Sequence, residues 1–168
     1  MKAKGDRSLR TASPQPSLAR VLRYRNHLVI DKFLERYRLR RREADVLFRD
    51  MLMLLWLGSR KRIHIFPPQI LIDEMWHTFI LHTQAYERFC HRFFGSMIHH
   101  LPTPSRPRAR RRPVVAKLAV THLRKSISAV YDELGRDVAE RWYGAYRKRY
   151  TPSFLDACTR NETRRDGH

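Results

Sequence analysis

The chain is poor in cysteine, glycine and acidic side chains, and each shortage removes a class of protein. Cys90 and Cys158 are its two cysteines, far apart and outside any CxxC pattern, so neither a disulfide framework nor a thiolate zinc site organises it. Six glycines leave no Gly-rich phosphate-binding loop. No apolar run approaches the roughly 20 residues that a membrane span needs. The basic N-terminus is not followed by an apolar core and cleavage site, so it is not a secretory signal, and a reduced cytoplasmic setting is expected. Alternating strand patterns are also missing, which leaves an all-α fold.

Against 16 acidic residues stand 35 lysines and arginines, giving a formal net charge of +19 and a pI near 11.1. Such a balance favours an anionic partner, protein or nucleic acid. Two segments concentrate it. One is the Pro/Arg-rich stretch 103–113, with Arg108, Arg110, Arg111 and Arg112; the other is RWYGAYRKRY, with Arg147, Lys148 and Arg149 for phosphates and Tyr143, Tyr146 and Tyr150 for stacking. The same arginines would serve equally as a solvated surface, with Trp142 and Tyr146 needed for packing.

Helical spacing organises the remainder into a small bundle of four to five helices. Residues 1–17 read as a disordered basic tail, 18–152 as one helical domain, 103–113 as a linker and 153–168 as a frayed tail. Asn26 is placed to cap a first helix carrying Ile30, Phe33, Leu34 and Tyr37. A second helix bears Ala44, Leu47, Phe48, Met51, Leu52, Leu55 and Trp56; it is apolar all round near its end, which suits a central position, and Gly58 is expected to close it. Pro67 and Pro68 then break the chain. A third helix is predicted from Gln69 to about Phe94, closed by Gly95. A fourth follows, with Leu123, Ile127, Val130 and Leu134 and ending at Gly135, then a fifth with Val138, Trp142, Ala145 and Tyr146.

The third helix concentrates the chemistry. Between Ile72 and Pro102 lie five histidines. At about 100° per residue, Met75, Phe79, His82, Tyr86, Phe89 and Cys90 face the core, whereas Asp73, His77, Glu87 and His91 share a polar stripe. Asp73 with His77, and Glu87 with His91, are four apart and can chelate an ion as pairs. His77 and His82 are five apart, unlike the histidines of a zincin helix. An unbroken helix rises about 27 Å from His77 to Gly95, while the next residues return at most about 17 Å. Two alternative sets therefore remain for zinc or another divalent metal: Asp73 and His77 with ligands from elsewhere, His64 among them, or Glu87, His91, His99 and His100 at the far end.

The run Asp73, Trp76, His77, then Tyr86, Phe89, Cys90, then Gly95, Ile98, His99, His100 and Pro102 resembles the glycine-rich domain-containing protein-like family in its short bacterial form. That resemblance implies a domain rather than a reaction. It marks Asp73, Trp76, His77, Tyr86 and Cys90 as a motif surface. The functional expectation is a small helical binding or interaction module. Its alternatives are a divalent-metal protein or metal-dependent enzyme, and a nucleic-acid binder. No Ser-His-Asp arrangement or activated cysteine accompanies the histidines, so no catalytic residue is assigned.

Overall fold

The computed structural model describes residues 16–61, 69–100 and 113–160, and these form an all-α structure. The tail before residue 16, His64, and Arg108, Arg110, Arg111 and Arg112 lie outside the described residues. In chain order the elements are α1 (Leu18–Val21), α2 (His27–Arg36), α3 (Arg41–Lys61), α4 (Ile70–Leu81), α5 (Thr83–Phe94), α6 (Pro113–Leu134), α7 (Arg136–Glu140), a π-helical turn (Arg141–Ala145), α8 (Tyr146–Arg149) and α9 (Pro152–Cys158). Among the described residues, no helix is long and apolar enough to cross a membrane.

Asn26 caps α2 as its side chain dictates, its Oδ1 accepting the Val29 amide at 3.3 Å. The helix turns its buried residues Val29, Ile30 and Phe33 inward. Helix α3 is the central element and packs against α1, α2, α4 and α6. Leu47, Phe48, Met51, Leu52, Leu54, Leu55 and Leu57 are buried, covering more than one face, as its all-round apolar end requires. Gly58 does not close it. The helix runs on to Lys61, so that Arg60 stacks over the Trp56 ring at 5.0 Å and pairs with Glu133 of α6 at 3.4 Å. Around Phe79 an aromatic cluster gathers Tyr24, Phe48, Tyr86 and Phe89, with ring centroids 5.1–6.0 Å from its own.

The single helix expected over 69–94 is two. His82, with φ −84° and ψ 59°, leaves helical geometry and separates α4 from α5. Its ring Nδ1 lies 2.9 Å from the Thr78 carbonyl, which meets an acceptor exposed by the break. Leu81, next to the break, is 79% exposed at the end of α4. Gly95 ends α5 with φ 75°, and Gly135 follows α6 with φ 90°, both left-handed positions that favour glycine.

The fifth predicted helix appears as α7, the π turn and α8. The Tyr146 amide bonds the Arg141 carbonyl, the i→i+5 closure of a π turn. In a regular α-helix residues five apart diverge by about 140°. The π turn instead brings Arg141 and Tyr146 together onto Asp50 of α3, at 2.6 Å from the guanidinium and 2.7 Å from the hydroxyl. Two turns earlier on α3, Glu43 receives Arg149 at 3.0 Å and Tyr150 at 2.8 Å.

Of the tail 153–168, expected to fray, residues 153–160 are placed, most of them in α9, and 161–168 lie outside the described residues. Thr151 caps α9, and Thr159 pairs with Tyr37 in an isolated antiparallel bridge. The Arg38 amide donates to the Cys158 carbonyl at 2.7 Å and the Arg160 amide to that of Arg36 at 2.8 Å. Satisfying these backbone groups holds the residues after α9 against the α2–α3 connection.

Candidate metal centre

Helix α4 presents Asp73 and His77 one turn apart, because four residues return nearly to the same face. Their direct contact is loose, with His77 Nδ1 at 3.8 Å from Asp73 Oδ2 and 3.9 Å from Glu74 Oε1. The third member comes from beyond α5. After Gly95 the chain turns back, and His100 Nε2 lies 2.8 Å from Asp73 Oδ1. A carboxylate only accepts, so Nε2–H donates to it. The His77 and His100 rings stand 4.4 Å apart, and ligand atoms of Asp73, His77 and His100 all lie within 4.8 Å of one another. Among the described residues this is the group of three or more donors that one ion can reach.

The two alternative ligand sets of the sequence are thereby recombined. The distance limit separating His77 from the downstream histidines assumed a continuous helix, and the break at His82 removes that assumption. Glu87, His91 and His99 are exposed and stand outside the cluster. Burial within the cluster is graded: the side chain of His100 is 11% exposed, Asp73 24% and His77 41%. One side is walled and the other opens to solvent.

Motif residues supply the wall and set the path of the returning chain. Trp76 Nε1 donates to the Tyr86 hydroxyl at 3.0 Å, which donates to the Ile98 carbonyl at 2.6 Å. The Trp76 ring also meets His100 edge-on at 4.4 Å. Residues of α4, α5 and the return are thus tied by one chain of hydrogen bonds, two positions before His100. Burial, followed by the neighbouring Cys90, pushes the Tyr86 hydroxyl well above its ordinary range, so it stays protonated and keeps donating. Burial likewise raises the Cys90 thiol, which is fully enclosed and unsuited to nucleophilic work.

Tyr86→Phe is expected to cost about 1–3 kcal/mol, because the Trp76 indole N–H and the Ile98 carbonyl both lose their partner in a buried setting. Urea denaturation measures it, and a loss below a few tenths of a kcal/mol would contradict the bridging role.

Glu74 is a neighbour with other duties. Its Oε2 pairs with Arg36 at 2.9 Å, and it also raises the buried Tyr37 hydroxyl, for which burial is the larger cause. Of the residues assigned to nucleic acid, Arg147, Lys148 and Arg149 are exposed, and Arg149 is engaged by Glu43. Tyr146 and Tyr150 are buried with their hydroxyls bonded to carboxylates, so neither ring is available to stack on a base.

The family described as UCP032817-like matches residues 19–114, more than half of the chain. The chain belongs to that family. This corrects the resemblance to the glycine-rich domain-containing protein-like family, which rested on about thirty residues; the matched region is three times as long and takes in α1 through the start of α6. It includes Asp73, His77 and His100, together with Trp76, Tyr86 and Cys90, and stops before α7. The UCP032817-like family has no assigned activity. No curated protein and no solved structure matches the chain.

Proposed function

We propose that this helical protein binds one divalent cation at Asp73, His77 and His100, with zinc or another borderline metal fitting the donors best. Support comes from one observation: a carboxylate and two imidazoles, distant in sequence, converge within reach of a single ion. Two nitrogens and one oxygen suit zinc or a first-row transition ion better than calcium or magnesium, which prefer oxygen donors alone. Partial exposure of His77 leaves a coordination position facing solvent, where a water or a partner's side chain can complete the sphere. Trp76 and the Tyr86 bridge act one layer out, fixing the orientation of His100. The reading is of a binding module.

The test is calorimetric titration of untagged, chelator-treated protein with Zn²⁺, Mn²⁺ and Ni²⁺, with metal content measured after desalting. One equivalent of tightly held metal is expected. His100→Ala and Asp73→Asn should each weaken it at least about 100-fold, as losing one of three protein ligands does, whereas His91→Ala and His99→Ala should leave it unchanged. Absence of stoichiometric binding, or equal sensitivity to His99, would defeat the assignment. In that event Asp73 and His100 act only as a clasp between α4 and the returning chain.

A further inference from the structure

The connection from α2 to α3 reads Arg36, Tyr37, Arg38, Leu39, Arg40, and its exposure alternates with it: the three arginines are exposed, Tyr37 is buried and Leu39 is half-buried. Tyr37 is extended, with φ −119° and ψ 131°, and is held in that geometry by its bridge to Thr159. Arg38 lies in a tight turn, the Leu39 amide donating to the Tyr37 carbonyl at 3.0 Å. Arg36, Arg38 and Arg40 thus form an exposed basic run around the buried Tyr37 and half-buried Leu39. Arg41 and Arg42 continue it into the first turn of α3, and the bridge brings Arg160 alongside, its amide on the Arg36 carbonyl.

Several of these cations are already engaged. Arg36 pairs with Glu74, and Arg41 pairs with Asp31 and Asp45. Arg38, Arg40, Arg42 and Arg160 have no carboxylate partner among the described residues, and Asp156 is the one acidic side chain of the neighbouring α9. Four exposed, unneutralised arginines on a hydrogen-bonded backbone constitute a strong local field for an anion with repeating charges. Arginine offers a planar fork that matches phosphate oxygens. Tyr37, Tyr146 and Tyr150 at this end are buried and Phe154 is half-buried against Tyr150, so among the described residues no fully exposed ring is offered here for stacking unpaired bases. The large apolar side chains that are exposed lie outside 36–42 and 158–160, so nothing on this ledge would insert into a membrane.

We propose that Arg38, Arg40, Arg42 and Arg160 form a ledge that binds the sugar-phosphate backbone of a nucleic-acid duplex. Contacts are to phosphates, without base reading, and none of the four arginines belongs to the Asp73, His77 and His100 cluster. Each phosphate neutralised adds about 0.9 to the salt slope, so four contacts give a slope near −3.6 and about a 10²-fold fall in affinity between 50 and 200 mM salt.

Fluorescence anisotropy of the full chain with a labelled 20-base-pair mixed-sequence duplex tests this. Combined Arg38→Ala, Arg40→Ala, Arg42→Ala and Arg160→Ala should flatten the salt slope by about 3–4 and weaken binding at 50 mM salt at least about tenfold. The fourfold arginine-to-lysine variant, which retains the charges, should keep most of the binding, and circular dichroism melts confirm that each variant folds. The proposal is overturned if the alanine variant keeps its slope. It is equally overturned if Arg108→Ala, Arg110→Ala, Arg111→Ala and Arg112→Ala remove the binding without help from the ledge. Tight binding to phosphatidylserine vesicles with none to the duplex would assign the surface to lipid instead.

Discussion

Asp50→Ala should destabilise the protein by about 3–5 kcal/mol, the scale for removing one partner of a buried ion pair. Asp50 is 1% exposed in the middle of the central helix, and both its oxygens are used, Oδ1 by Arg141 at 2.6 Å and Oδ2 by the Tyr146 hydroxyl at 2.7 Å. Its removal strands the buried Tyr146 hydroxyl with no acceptor and leaves the Arg141 guanidinium, 32% exposed, to be met by water alone. The Tyr146 hydroxyl is held protonated first by burial, which persists without Asp50, so it does not compensate by ionising. Chemical denaturation followed by circular dichroism measures the loss. Combined Asp50→Leu, Arg141→Met and Tyr146→Phe should recover most of it, since an apolar trio of similar size needs no partners. A loss below about 1 kcal/mol would show that water at the open side of Arg141 replaces Asp50 and that the contact does not anchor the C-terminal helices.

Phe79→Ala should cost a further-ranging amount, about 3–5 kcal/mol in stability. Phe79 is fully buried at the centre of the aromatic cluster, where Tyr24, Phe48, Tyr86 and Phe89 all meet its ring. The cavity left behind would sit under α4, beside the Trp76–Tyr86 hydrogen bond, two residues from His77 and six from Asp73. The effect should therefore reach beyond melting: metal affinity at Asp73, His77 and His100 should fall as well, by about tenfold, as when the support of metal ligands is disturbed. Phe79→Leu, which fills more of the space, should recover part of both. A variant that lost stability but kept full metal affinity would show that α4 holds its ligands without this packing.

Much of this fold was legible because local chemistry and global packing agree. Asn26 caps where its side chain can accept, Gly95 and Gly135 end helices in left-handed geometry, and the apolar girdle of α3 marks the element that others surround. Cys90 was assigned to packing from its neighbours and is buried among them. The candidate site was half legible. Asp73 and His77 share a helical face by arithmetic alone, but His100 joins them only because the helix stops at His82, where no proline, glycine or capping side chain announces a stop. Gly58 misled in the opposite direction, since a glycine inside a helix is tolerated when packing on both sides continues. The ordered segment 153–160 was missed for a different reason. Its anchorage is backbone pairing with residues 36–38, which has no signature in side-chain periodicity.

The π turn determines how the last helices mesh with α3. Glu43 and Asp50 are seven residues apart, whereas the arginines that meet them, Arg149 and Arg141, are eight apart. The two helices are like gears whose teeth differ by one, and the π turn is where the extra tooth is taken up. Deleting one residue between Arg141 and Ala145 would leave a regular helix that can engage Asp50 or Glu43 with its original arginine and tyrosine, but not both. The C-terminal helices are consequently keyed to the central one by reading frame as well as by charge, and insertions or deletions there should be tolerated far less than substitutions.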